Sequence, residues 1–200
     1  MIDHAHLDGL LAAASFNVVA EPSVDTAAWL RGEGVDVAQA LNIAGPIIEH
    51  TITIFDRHAF DFAAPGTVGA VRAVVHVVHG DDAVAPVDLI AWTRDRPDRV
   101  LRCLRAAVAL GVDRIANPAS YFAGRPLKVY RSPLGWLRAG CRGIVILDAD
   151  GVRDRLDRLP ARPEPYKLLV EDLPHGRALR PLLTPLRPQV RLFVPSENAA

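Results

Sequence analysis

Two hundred residues, half of them hydrophobic and 23% charged, have the composition of a folded chain rather than a disordered one. Lys plus Arg equal Asp plus Glu at 23 each, which excludes a global basic field for nucleic acid and leaves only a local patch open. No run approaches the ~18 apolar residues that span a bilayer, and no basic stretch precedes an apolar one at the N-terminus, so a cytoplasmic, soluble protein without membrane association is expected.

Residues 3–14 (DHAHLDGLLAAA) predict a short helix, with Asp3 as its cap and Leu7, Leu10, Leu11 and Ala14 on one face. Further helices are predicted over Asp25–Leu30 and Asp36–Asn42, the second stopped by Gly45-Pro46. The period then changes. Ile48, His50, Ile52 and Ile54 alternate with Glu49, Thr51, Thr53 and Phe55, the pattern of a strand. Ala59–Phe62 follows as a short strand. Val71–Val78 and Val87–Trp92 predict an antiparallel hairpin about a turn at His79-Gly80-Asp81-Asp82. Val100, Leu101, Leu104, Ala107 and Val108 recur at helical spacing, which predicts a helix from Asp98 to Leu110 ended by Gly111.

Leu127–Tyr130 is the next predicted strand. Ser132-Pro133 opens a helix with a capping Ser and Pro at its first position, and Gly140 closes it. Ile144–Leu147 is a continuous apolar run, as expected of a core strand buried on both faces. A charged helix over Val152–Leu159, a strand over Lys167–Val170 and a helix over His175–Leu183 imply a parallel strand pair. Half of the 16 prolines lie between Pro160 and Pro195; Pro181, Pro185 and Pro188 favour an extended chain over 181–189, with Arg191–Val194 as a last edge strand. The expected class is α+β: N-terminal helices, an antiparallel β-meander, then a C-terminal α/β unit with a parallel strand pair. A single domain over 1–195 is expected, with a helical lead-in (1–47), the meander (48–92), the α/β part (93–184) and a Pro-rich tail (185–200).

Four constellations are candidates for chemistry. In "GIVILDADG" Asp148 and Asp150 follow one strand, and in "LLVED" Glu171 and Asp172 follow the next. If those strands are parallel neighbours, all four carboxylates meet at the C-terminal sheet edge, where α/β proteins bind ligands. Such a cluster suits Mg²⁺, a hard cation that bridges to phosphate, and His175 stands close enough in sequence to relay a proton. The arrangement resembles the acidic edge of Toprim domains of primases and topoisomerases, in which a strand ending in Glu precedes one ending in Asp-x-Asp. Here the order is reversed. That resemblance implies metal binding by Asp148, Asp150 and Glu171. The competing role is structural: Asp at a strand end commonly caps the following helix, which suits Asp148 or Asp150, and Asp172 likewise. An EF-hand loop is excluded, because Val152 and Leu159 occupy ligand positions.

"MIDHAHLDG" is similar to the opening of TatD-like amidohydrolases, which implies metal ligation by His4 and His6; the chain lacks the eightfold strand–helix alternation of such a barrel. His76 and His79 flank the hairpin turn with Asp81 and Asp82, but strand alternation places residues three apart on opposite faces, so a half-buried, hydrogen-bonded His76 is expected. "YRSPLGWLRAGCRG" offers Arg131, Arg138 and Arg142 with Tyr130 and Trp136 for phosphate or base contact. Arg177, Arg180, Arg187 and Arg191 add a C-terminal stripe. Of the 23 basic residues, only Lys128 and Lys167 are lysines. Cys103 and Cys141 lack any CxxC or paired-His pattern, so two buried thiols in a reducing compartment are expected.

Two functions are compatible with these residues. One is an accessory or interaction domain without catalytic activity and with no cofactor, meeting a protein partner, or nucleic acid through a local Arg patch. The other is a Mg²⁺-dependent phosphate- or nucleic-acid-processing enzyme using Asp148, Asp150, Glu171 and Asp172, with Arg131, Arg138 and Arg142 steadying phosphate.

Overall fold

A computed structural model describes Gly9 and residues 22–64, 66–80, 86–161, 164–184 and 190–195. The helix expected over 3–14 lies outside these residues apart from Gly9. The chain is α+β and divides into two compact units, one formed by Met1–Ala107 with Ser132–Cys141, the other by Val108–Arg131 with Arg142–Ala200.

In the first unit two helices precede the sheet. Helix α1 (Val24–Gly32) begins at Ser23, whose side chain accepts the Thr26 N–H. Helix α2 (Val37–Ala44) begins at Asp36, which accepts the Gln39 N–H at 3.0 Å. It ends at Gly45, whose φ of 92° a residue with a Cβ rarely adopts. Five antiparallel strands follow: β1 (Ile47–Ile54), β2 (Phe60–Phe62), β3 (Val71–His79), β4 (Pro86–Thr93) and β5 (Arg96–Arg102), in the order β2-β1-β3-β4-β5. The two ends of this sheet meet. Ala59, just before β2, bridges Arg102 at the end of β5, and the Arg102 N–H donates to the His58 carbonyl at 2.8 Å. The sheet therefore curls on itself, and its inner face is its own core: Ile52, Phe60, Ala73, Val75, Val77, Leu89, Ala91 and Leu101 are all buried there. The outer face carries Val74, His76, Ile90 and Trp92. Helix α4 (Pro133–Arg138), which returns to this unit from later in the chain, sets Trp136 edge-on to His76 with ring centroids 6.1 Å apart.

The expected helix over Asp98–Leu110 is replaced by β5, a loop and the two-residue strand β6 (Ala109–Leu110). The reason is tertiary. The Asp88 carboxylate, fully buried on β4, accepts the N–H groups of Leu89, Leu104, Ala106 and Ala107 at 2.8–3.1 Å. It pins the loop open, and Arg105 turns it with a left-handed φ of 57°. Pro97 is accommodated because β5 ends the sheet order.

The second unit has the strand order β10-β9-β7-β8-β6, where β7 is Leu127–Tyr130, β8 Ile144–Ile146, β9 Tyr166–Val170 and β10 Val190–Phe193. Strand β6 is antiparallel to β8, and every other pairing is parallel. Helix α3 (Asp113–Ala116) and a 3₁₀ segment (Pro118–Gly124) precede β7; α5 (Ala149–Asp157) joins β8 to β9, and α6 (Leu173–Leu183) leads toward β10. One face of the sheet (Leu127, Val129, Ile144, Leu168, Val170, Val190) packs on Val152 and Leu156 of α5 and Leu179 and Leu183 of α6. Within the expected core run, Ile144 and Val145 are buried while Ile146 and Leu147 are only half-buried, because the strand ends there. Helix α6 continues through Pro181 to Leu183 rather than giving way at 181. Pro181 lacks only the N–H that would reach the Arg177 carbonyl, and at the helix end the Thr184 hydroxyl donates to the Arg180 carbonyl at 2.6 Å.

Candidate functional site

Strands β7, β8 and β9 run parallel, so Tyr130, Ile146 and Val170 all lead to the same edge of the second sheet. That edge does collect the carboxylates, but not as neighbours. Strand β7 lies between β8 and β9, so Asp148 and Glu171 stand two strand spacings apart, on the order of 10 Å along the edge. The expected direct pairing of the two acidic strand ends is thereby corrected.

Each carboxylate has a local occupation. Asp148 is the N-cap of α5 and accepts the Asp150 N–H at 3.2 Å. Gly151 makes room for it: a Cβ there would stand 2.8 Å from Asp148 Oδ2. Asp150 is exposed on the helix surface, with its Oδ1 2.6 Å from Arg153 Nη2. Asp172 caps α6 by accepting the His175 N–H at 2.7 Å. Arg131, at the end of the intervening strand, connects the remaining acids. Its guanidinium Nη2 donates to both Asp172 oxygens at 2.6 and 2.8 Å, and its backbone N–H donates to Glu171 at 2.8 Å. A side chain expected to steady phosphate thus supplies the positive charge to the acidic edge itself.

His175 is buried on α6, and its Nδ1 lies 3.7 Å from Glu171 Oε2 without a hydrogen bond. Burial lowers the pKa of this imidazole, and the Glu171 charge works in the opposite direction. The Tyr130 phenol is raised, first by burial and then by Glu171, with Arg142 opposing. The edge therefore holds a His–Glu pair and a Tyr of the types used for proton transfer. Arg142 is exposed at the entry to β8. Arg138 belongs to the first unit, where its guanidinium pairs with Glu33.

The other candidates separate. His4, His6, Asp81, Asp82 and Arg187 lie outside the described residues. Arg177 and Arg180 are exposed on α6, and Arg191 on β10. A bulge at Val87 of β4 shifts the register between Val78 and His79, while β3 itself runs unbroken from His76 to His79. His79 then lies beside Gly45, 3.1 Å from where a Cβ would stand. His76 is 2% exposed, more deeply buried than expected, and its Nδ1 has no hydrogen-bond partner. Neither cysteine is in a disulfide; Cys141 is buried and Cys103 half-buried. Burial, with Asp61 and Asp88 nearby, pushes the Cys103 thiol up to about 12, so it stays protonated at neutral pH. Among the described residues no three of His, Cys, Asp and Glu group closely enough to hold a metal, and no helix is long and apolar enough to cross a membrane.

Two structural roles escaped the sequence pattern, that of Asp88 in holding the loop after β5 and that of Arg131 in joining Glu171 and Asp172. An Asp inside the apolar run "PVDLIAW" was the available signal for the first. Compared with protein-family models, with curated proteins and with solved structures, the chain matches none.

Proposed function

We propose that this protein is a non-catalytic accessory or interaction module, soluble and cytoplasmic, whose acidic strand edge is structural. One observation carries the reading: Asp148 and Asp172 cap the two helices that leave the edge, and Arg131 ties Glu171 and Asp172 to the strand between. Carboxylates so engaged stabilise helix starts and the parallel sheet, which is sufficient reason for their place in the chain. Two cysteines without a disulfide suit a reducing compartment.

A Mg²⁺-dependent phosphate- or nucleic-acid-processing enzyme is the second reading. It is favoured by the parallel strands that bring Asp148 and Glu171 to one edge, and by the His175–Glu171 pair there. Calorimetric titration of the full chain with Mg²⁺ and with Mn²⁺ distinguishes the two. The interaction module gives no saturable heat at millimolar metal. Saturable binding that disappears in both Asp148→Asn and Glu171→Gln overturns it in favour of the enzyme.

A further inference from the structure

We propose that the second unit binds single-stranded nucleic acid on the sheet face opposite α5 and α6, through Lys128, Tyr130, Lys167, Arg191 and Phe193. This rests on the reading of the chain as a binding module and names its ligand class. The strand register fixes which side chains share that face. Arg191 pairs with Lys167, and Phe193 with Leu169, which in turn pairs with Lys128 on β7. Tyr130 is two residues further along β7, so it points to the same side. The face is closed at its Leu110–Val145 end, where both residues are buried. Across β7, β9 and β10 it is open: Lys128 and Arg191 are exposed, Lys167, Leu169 and Tyr130 half-buried, and Phe193 is 38% exposed.

Charge and shape on this face point to a polyanion with flat bases. The three adjacent strands LKVY, YKLLV and VRLF contain three cations and no carboxylate, although the whole chain is neutral. Both lysines of the protein are here. Lys167 and Arg191 are register partners on neighbouring parallel strands, so two cations share this face side by side. The carboxylates nearby are at the rim. Glu164 Oε2 and Lys167 Nζ both stand beside Gly124, 3.3 and 3.8 Å from where its Cβ would be, and Glu171 is engaged by the Arg131 N–H.

The aromatic rings are placed among the cations. Lys167 Nζ lies 6.0 Å from the Phe193 ring centroid, and the Tyr130 ring passes 2.9 Å from where a Cβ on Gly143 would stand. Gly143, with a φ of 114°, thus leaves space for that ring to lean over the sheet. Rings interleaved with cations on an open sheet face stack unpaired bases while the cations meet the backbone phosphates. A duplex, with its bases already stacked, cannot use the rings.

Fluorescence anisotropy of the full chain with a labelled oligothymidylate of about 16 nucleotides tests this. Saturable binding is expected at about 50 mM salt, weakening roughly twentyfold by about 200 mM as some three phosphate contacts are screened. Phe193→Ala should weaken it at least about fivefold, the lower range for one stacked base. Lys128→Ala and Arg191→Ala should weaken it and flatten the salt dependence, whereas Arg180→Ala on α6 should bind like the parent. Absence of binding at low salt, unchanged binding by Phe193→Ala, or equal affinity for a duplex would overturn the inference. Those results leave the interaction-module reading to the metal titration. Shortening of the oligonucleotide on adding Mg²⁺, read on a gel from the same samples, would count against the non-catalytic reading instead and leave the binding face standing.

Discussion

Asp88 shows how much one side chain decides. It has no accessible surface, lies in an apolar strand, and gathers four backbone N–H groups from its own strand and from the loop after β5, with Arg102 Nε 3.6 Å away. Asp88→Ala should cost about 3–5 kcal/mol, because it leaves Arg102 and several buried donors uncompensated. A loss below about 1 kcal/mol in denaturant unfolding would mean that the carboxylate does not hold the loop. His76 makes a second residue-scale case, in pH. Burial first, and His79 second, lower its pKa from the ordinary 6.5 to about 3 in the folded chain. The unfolded chain therefore takes up a proton below about pH 6.5 that the folded chain refuses until about pH 3. Stability is full above that window and falls as pH drops through it, by up to about 1.4 kcal/mol per pH unit. Urea midpoints between about pH 7 and pH 4 should fall less steeply in His76→Phe than in the parent, and equal slopes would contradict this assignment.

At the scale of elements, those with local signals were legible. Ser132 caps the helix that follows it, as its Ser-Pro pair signals, and the β-rich runs became β1, β3 and β4. The region from Asp98 to Leu110 was misread because its apolar residues satisfy a helical period by coincidence, while the group that overrides it, Asp88, is a strand away. Proline misled in the other direction at Pro181, where only one turn of helix remained to be broken. Strand order was not legible at all, since nothing in "VILDAD" or "LLVED" says that β7 inserts between them; that decides whether their carboxylates touch. The core of β8 yields a graded prediction. Ile144→Ala should cost about 2–5 kcal/mol, and Ile146→Ala, at the half-buried end of the strand, less than that. Equal losses would mean that the two positions are equally buried.

For the whole molecule, the two units solve burial differently. The first curls one antiparallel sheet until its inner face is its own core, with the Ala59–Arg102 bridge joining the ends. The second covers one face of a mainly parallel sheet with α5 and α6 and keeps cations and aromatic rings on the other. The acids at its strand ends cap α5 and α6 and pair with Arg131. Thermal unfolding of Asp172→Ala in metal-free buffer tests this most directly. A cap and ion-pair partner of Arg131 is lost, so the melting temperature should fall by about 2–4 °C, and Mg²⁺ should move neither protein. Carboxylates crowded for an absent cation would respond with the opposite sign. A rise in the metal-free melting temperature of Asp172→Ala, with stabilisation of the parent by Mg²⁺, would contradict the account.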